Sequence, residues 1–225
     1  QEVEGIRTDI KVVNLSLFNT PWYIDQMKRA SYDAAPIPSS LEHDDYRAGA
    51  RDYLAYQPKY KNKSVNIKSV MDYIKTHNKE RVYTKNGSMN VYIFPAKTLR
   101  VSVNKEIAKT SVPEEYHDQI VNEIQFDIKG NSVYKNKLMV FDILANFNWE
   151  RPIYFAATVG RDNFMGLEKY FQLEGLAYRL VPYLAPTSNN WLLGKATGSV
   201  NTEKMYDRLV KKFEWGGLNN TDLYF

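Results

Sequence analysis

The first apolar run of the chain, Ile10 to Leu17, is nearly continuous, which predicts a strand covered on both faces of a sheet. Thr20 and Pro21 follow at the spacing of a helix cap and a first helical position, so a helix is expected from Pro21. Upstream, Gln1-Glu2-Val3-Glu4-Gly5 has the composition of a last helical turn closed by glycine. One turn alone does not make a stable helix. The pattern therefore predicts a chain that starts inside an element of a longer protein. Helix, strand and helix in that order predict parallel α/β winding.

Farther along, Ala34 to Ser40 reads as a loop, and Tyr46 to Tyr56 fits neither period well but leans extended. Ile67, Val70, Met71 and Ile74 share one helical face, with Asn66 as the cap. Asn86-Gly87 marks a turn, Val91 to Phe94 and Leu99 to Val103 predict two strands, and Ile124 to Ile128 alternates like a half-exposed strand. Lys137 to Phe147 is apolar nearly all round, the pattern of a buried helix. Pro152 to Ala156 and Leu176 to Val181 predict two more strands. A last helix is expected from Asn201 to Phe213, burying Tyr206, Leu209, Val210 and Phe213 and ended by Gly216 and Gly217. The expected fold class is α/β: a mostly parallel sheet flanked by helices with a small antiparallel section, in one N-terminally truncated domain spanning 1–225.

Composition agrees with a packed core: of 225 residues, 44% are hydrophobic and 14% aromatic. No apolar run approaches the length that crosses a bilayer, so the chain is expected outside the membrane. Cysteine is absent, which excludes disulfides and thiolate chemistry. The net charge of +4 comes without an arginine-rich helix or a recognised nucleic-acid motif, so nucleic acid is not an expected partner. A surface facing an anionic membrane has the same balance.

The opening strand–helix junction is the best positional candidate for binding, because ligands collect beyond the carboxyl ends of parallel strands. Asn14 and Ser16 share one strand face there, with Asn19 and Thr20 at its exit. The same residues would equally shape the turn and cap the helix. Glu150 and Arg151, between Trp149 and Pro152, form either a clamp for a hydroxylated or anionic ligand or an ion pair that fixes the loop. Glu174 and Arg179 pose the same choice. Trp22 and the other tryptophans suit stacking on sugar rings, or the core. Glu42-His43-Asp44-Asp45 is rich in metal-ligand types, but sequence neighbours do not all converge on one ion, and no metal site is expected. Three dispersed histidines make no triad, and no catalytic residue is assigned. No glycine-rich phosphate loop occurs. Asn14, Asn62, Asn86 and Asn219 each open a glycosylation sequon, a pattern too common to decide anything.

Five ordered blocks carry a wider resemblance: GIRTDIKVVNLSLFNTPWYIDQMKR near the start, YRAGARDYL from Tyr46, NWERPIYF from Asn148, EGLAYRLVP from Glu174, and VNTEKMYDRL with KFEWGGL at the end. Together they resemble the C-terminal extramembrane part of a family of multi-spanning bacterial membrane proteins. That family is similar to protein O-mannosyltransferases and was long catalogued as a domain of unknown function. The resemblance implies a parent glycosyltransferase using a lipid-linked sugar, with its catalytic base in a loop outside this chain. No cofactor is implied for the fragment itself. The implied partners are the transmembrane part of the same protein and a glycan or protein acceptor, at the extracytoplasmic (periplasmic) face of the cell membrane. An accessory, noncatalytic role follows; an independent hydrolase or transferase, or a pure protein-interaction module, are the alternatives.

Overall fold

The computed structural model describes residues 7–61, 64–84, 87–184 and 198–211, and the chain divides into two compact units, 1–151 and 152–225. In the first unit the order is α1 (Pro21–Met27), α2 (His43–Tyr46), β1 (Tyr53–Tyr56), β2 (Ser64–Asn66), α3 (Ile67–Thr76), β3 (Glu80–Thr84) and β4 (Gly87–Phe94). It continues with β5 (Thr98–Ser102), α4 (Lys105–Lys109), β6 (Glu123–Asp127), β7 (Ser132–Tyr134) and α5 (Lys135–Asn146). Two small sheets result, one ordered β3-β4-β1-β7 and one ordered β2-β5-β6. Among the described residues only β1 with β4 and β2 with β5 run parallel in them.

Helix α3 forms as its pattern predicts. The Asn66 side chain accepts the Lys68 N–H at 2.9 Å, and Ile67, Val70, Met71 and Ile74 are buried. Each such side chain contributes roughly 1.5–3 kcal/mol by leaving water. Helix α5 packs against α3 and buries eight of its twelve residues, including the charged Lys135 and Asp142. A buried charge survives only when its hydrogen bonds are met. Asp142 accepts from Ser39 Oγ at 2.6 Å, from Ser40 N at 2.9 Å and from Ser40 Oγ at 2.8 Å, pinning the Ser39–Leu41 loop to α5.

The second unit holds β8 (Tyr154–Ala156), β9 (Phe171–Leu173), β10 (Ala177–Leu180) and β11 (Ser199–Val200), in the order β11-β9-β10-β8, followed by α6 (Thr202–Tyr206). Register places Phe155, Tyr178, Leu173 and Val200 across one face, and Tyr154, Arg179, Gln172 and Ser199 across the other. On the apolar side Phe155 and Phe171 lie 5.0 Å apart, and Phe164 meets Phe171 edge-on at 5.2 Å. Gly198, at φ 70°, passes so close to β9 that a Cβ there would lie 1.7 Å from the Phe171 carbonyl oxygen.

The expected mostly parallel sheet is not what forms. Among the described residues there are three small mixed sheets, and antiparallel pairings outnumber the parallel ones. The expected strand at Ile10 to Leu17 is likewise absent: 11–14 have no regular secondary structure and join no ladder among the described residues, and a 3₁₀ turn occupies Leu17–Asn19. Ile10, Val12 and Leu17 are exposed, Val12 at 64%, while Val13 and Leu15 are half-buried. The physical reason is local. Asn14 Oδ1 accepts the N–H of Ser16 at 2.9 Å and of Leu17 at 3.3 Å, turning the chain away from extended geometry. The last helix also differs, because α6 gives way to a π-helical turn over Asp207–Lys211 that rotates the face, leaving Tyr206 and Val210 exposed. The Gln1–Gly5 turn, Asn86, Phe213, Gly216, Gly217 and the Leu209 side chain lie outside the described residues.

Candidate functional site

At the start of α5 a hollow of about 280 Å³ is lined by Asn19, Thr20, Pro21, Ala48, Gly49, Asp52 and Lys135. Lys135 is its foundation. The side chain is 1% exposed and donates to the carbonyls of Tyr46 at 2.8 Å and Arg47 at 3.3 Å, and its third partner is the Asp52 carboxylate. All three ammonium hydrogens are thereby used, so the buried cation fixes the site without offering itself to a ligand. Asp52 is the opposite case. Its carboxylate accepts the Gly49 N–H at 3.1 Å and remains 59% exposed at the rim. Gly49 sits at φ 78°, a left-handed geometry that favours glycine.

Asn19 reaches this place by bridging 117 positions: its Oδ1 accepts the N–H of Asn136, one of the open donors in the first turn of α5, at 3.0 Å. Its Nδ2 donates to the Ser16 carbonyl at 3.3 Å. Thr20 stands at the cap position of α1, with Pro21 at the first helical position, but its hydroxyl donates backward to the Leu17 carbonyl at 2.6 Å instead of capping. Three exposed aromatics are sequence neighbours of lining residues. Trp22, 59% exposed, follows Pro21, while Tyr53 and Tyr134 follow Asp52 and precede Lys135, meeting edge-to-face at 5.7 Å. A carboxylate acceptor, an amide, a hydroxyl and aromatic faces are the groups that bind sugar hydroxyls and the C–H faces of sugar rings.

The other candidates fall elsewhere. Asn14 donates its N–H to the Tyr23 hydroxyl at 2.8 Å and, with Ser16, builds the turn before α1. Arg151 donates to the carbonyls of Ala35 at 3.2 Å and Pro36 at 2.5 Å, and Glu150 accepts from Asn148 at 3.2 Å. Among the described residues Glu150 and Arg151 form no ion pair with each other, and neither lines the hollow. Glu174 and Arg179 belong to a buried charge cluster in the second unit, where Glu174 also accepts from Lys204 at 2.8 Å and from the Tyr154 hydroxyl at 3.1 Å. Asp52, Gly49 and Lys135 escaped the functional reading. The first two lie in the YRAGARDYL block, while a lysine that opens a helix ordinarily signals solvent.

Glu42 to Asp45 caps and forms α2. His43 Nδ1 lies 3.1 Å from Asp25, and the Tyr46 hydroxyl donates to Asp25 at 2.7 Å. Burial would raise the Asp25 pKa, but the hydrogen bonds from Tyr46 and His43 outweigh it and hold the carboxyl below its usual range. Burial, and then the bond to Asp25, push the Tyr46 hydroxyl up. Among the described residues no three His, Asp or Glu side chains gather as metal ligands.

A second hollow of about 300 Å³ lies beyond the carboxyl ends of the parallel pair β2 and β5, near Asn66, Ser102, Asn104 and Asn148. Two of its amide oxygens are engaged, as that of Asn19 is: Asn66 caps α3, and Asn104 Oδ1 accepts the Ile107 N–H at 3.4 Å. The hollow at α5 keeps its carboxylate exposed and is the stronger candidate.

Fold and hollow together define a mixed α/β module with a polar hollow at the start of α5. The chain matches the family described as TMEM260-associated domain 2 over residues 1–204, and it belongs to that family. Membership links it to a membrane protein of glycosyltransferase-like type. No curated protein and no solved structure matches the chain. Among the described residues no helix is long and apolar enough to cross a membrane.

Proposed function

We propose that this chain is an accessory, noncatalytic extracytoplasmic domain of an O-mannosyltransferase-like bacterial membrane protein, and that the hollow at α5 holds the glycan of an acceptor. Family membership supports the parent. The observation that carries the binding role is the exposed Asp52 carboxylate, anchored by buried Lys135 in a hollow that Asn19, Thr20 and Pro21 also line, with the exposed Trp22 next in sequence. The lipid-linked donor and the chemistry of transfer belong to the membrane part of the parent; here Asp52 and Asn19 orient sugar hydroxyls and Trp22 stacks on the ring. Asp52→Asn and Trp22→Ala, each made in the full-length protein, test this. The expected result is a raised KM for acceptor with kcat kept, the signature of lost uniform binding. A fall in kcat at unchanged KM would refute the accessory role.

A further inference from the structure

The β3–β4 hairpin leaves the body of the first unit as a ribbon open to solvent on both faces. Arg81, Tyr83, Gly87, Ser88, Met89 and Asn90 are all exposed, Tyr83 at 78% and Met89 at 51%. Register sorts the two faces. Arg81, Tyr83, Ser88 and Asn90 lie on one, and Val82 and Met89 on the other. The first face interleaves cations and rings: the Arg81 guanidinium is 5.7 Å from the Tyr83 ring centroid, and Lys79 Nζ is 5.4 Å from that of Tyr92. Arg81 Nε donates to Ser88 Oγ at 3.0 Å, fixing the cation along the ribbon. The carboxylate within β3, Glu80, is engaged at the base by Lys59 at 2.5 Å and Tyr73 at 2.8 Å.

A two-stranded ribbon without cover is marginal in water. A ribbon that is basic, and carries an aromatic on one face and a thioether on the other, fits a partner that surrounds it. A soluble anionic polymer would lie along one face only. The headgroup layer of a bilayer takes both, because tyrosine settles at that depth and Lys and Arg are drawn to anionic lipid. We propose that the exposed residues Arg81, Tyr83, Ser88 and Met89 of this ribbon seat in the headgroup layer of an anionic membrane, orienting the first unit on the bilayer independently of the hollow at α5.

Co-sedimentation of the chain with vesicles of phosphatidylcholine alone, and of phosphatidylcholine mixed equally with phosphatidylglycerol, tests the proposal. The expected result is binding to the anionic vesicles that weakens with salt. Lys79→Glu with Arg81→Glu should lower partitioning by about 25-fold or more, at roughly fivefold per cation, and Tyr83→Ser with Met89→Ser should lower it severalfold. All variants should keep the urea midpoint of the parent chain. Tyr83→Trp should gain emission that brominated lipid quenches. Equal or absent binding to both vesicle types, unchanged partitioning of the charge-reversed variant, or unquenched emission from the Tyr83→Trp variant would each overturn the proposal, and binding by the hairpin to a protein instead would do the same.

Discussion

Replacing Lys135 with methionine isolates the foundation of the proposed site. Methionine fills a similar volume, so the change removes an ammonium without opening a large cavity. Two carbonyls lose their donor, those of Tyr46 at 2.8 Å and Arg47 at 3.3 Å, while Asp52 loses its cation. A hydrogen bond to a charged group contributes about 1.5–3 kcal/mol, and the longer of the two falls at the weak end. The Asp52 carboxylate is 59% exposed and returns to water at little cost. The expected loss for Lys135→Met is therefore about 3 kcal/mol, whereas Asp52→Asn, which leaves the buried ammonium an amide oxygen to donate to, costs about 1 kcal/mol. Urea denaturation of the two variants measures the contrast, and a shift of some 2–4 °C per kcal/mol in thermal midpoint gives a second readout. Near-equal costs for the two variants, or a loss below about 1 kcal/mol for Lys135→Met, would refute the reasoning.

Asp142→Ala strands the N–H of Ser40 and the hydroxyls of Ser39 and Ser40, and should cost about 3 kcal/mol in a chemical denaturation experiment. Gly198→Ala puts a methyl into the Phe171 carbonyl at a left-handed φ, so the β9–β11 pairing must shift; about 2 kcal/mol or more is expected, with amide exchange faster at Leu173 and Val200. The folded-state carboxyls of Asp25 and Glu80 both lie below their usual range, Glu80 through its bond to Lys59 and then to Tyr73. Their contribution is thus present above the usual carboxylate range and lost as pH falls through the lowered values. Urea midpoints followed from neutral to acid pH should drop less steeply for Asp25→Asn than for the parent chain; equal slopes would contradict this.

What the sequence revealed follows from how local each signal is. Helix α3 was legible because its cap and its apolar spacing lie within a dozen positions. Strand β6 was legible because alternation is a local pattern, and α5 because nearly every side is apolar. The Ile10 to Leu17 run misled because an apolar stretch announces burial without naming the element, and the Asn14 side chain claimed the backbone donors. Part of the candidate site was visible for a related reason. Asn19, Thr20 and Trp22 sit at a junction that composition marks, yet the partner of Asn19 is 117 positions away and no local pattern points to it. Lys135 was invisible because a buried lysine is defined only by the carbonyls that tertiary folding brings to it.

The most direct test of the central claim is a titration of the isotopically labelled chain with α-linked mannose oligosaccharides and a mannosylated serine peptide, followed by amide chemical shifts. The account predicts saturable shifts at Asn19, Gly49, Asp52 and Asn136, lost in Asp52→Asn, with Asn66 and Asn104 unmoved. Shifts confined to the carboxyl ends of β2 and β5, or no shifts with any of these ligands, would contradict it.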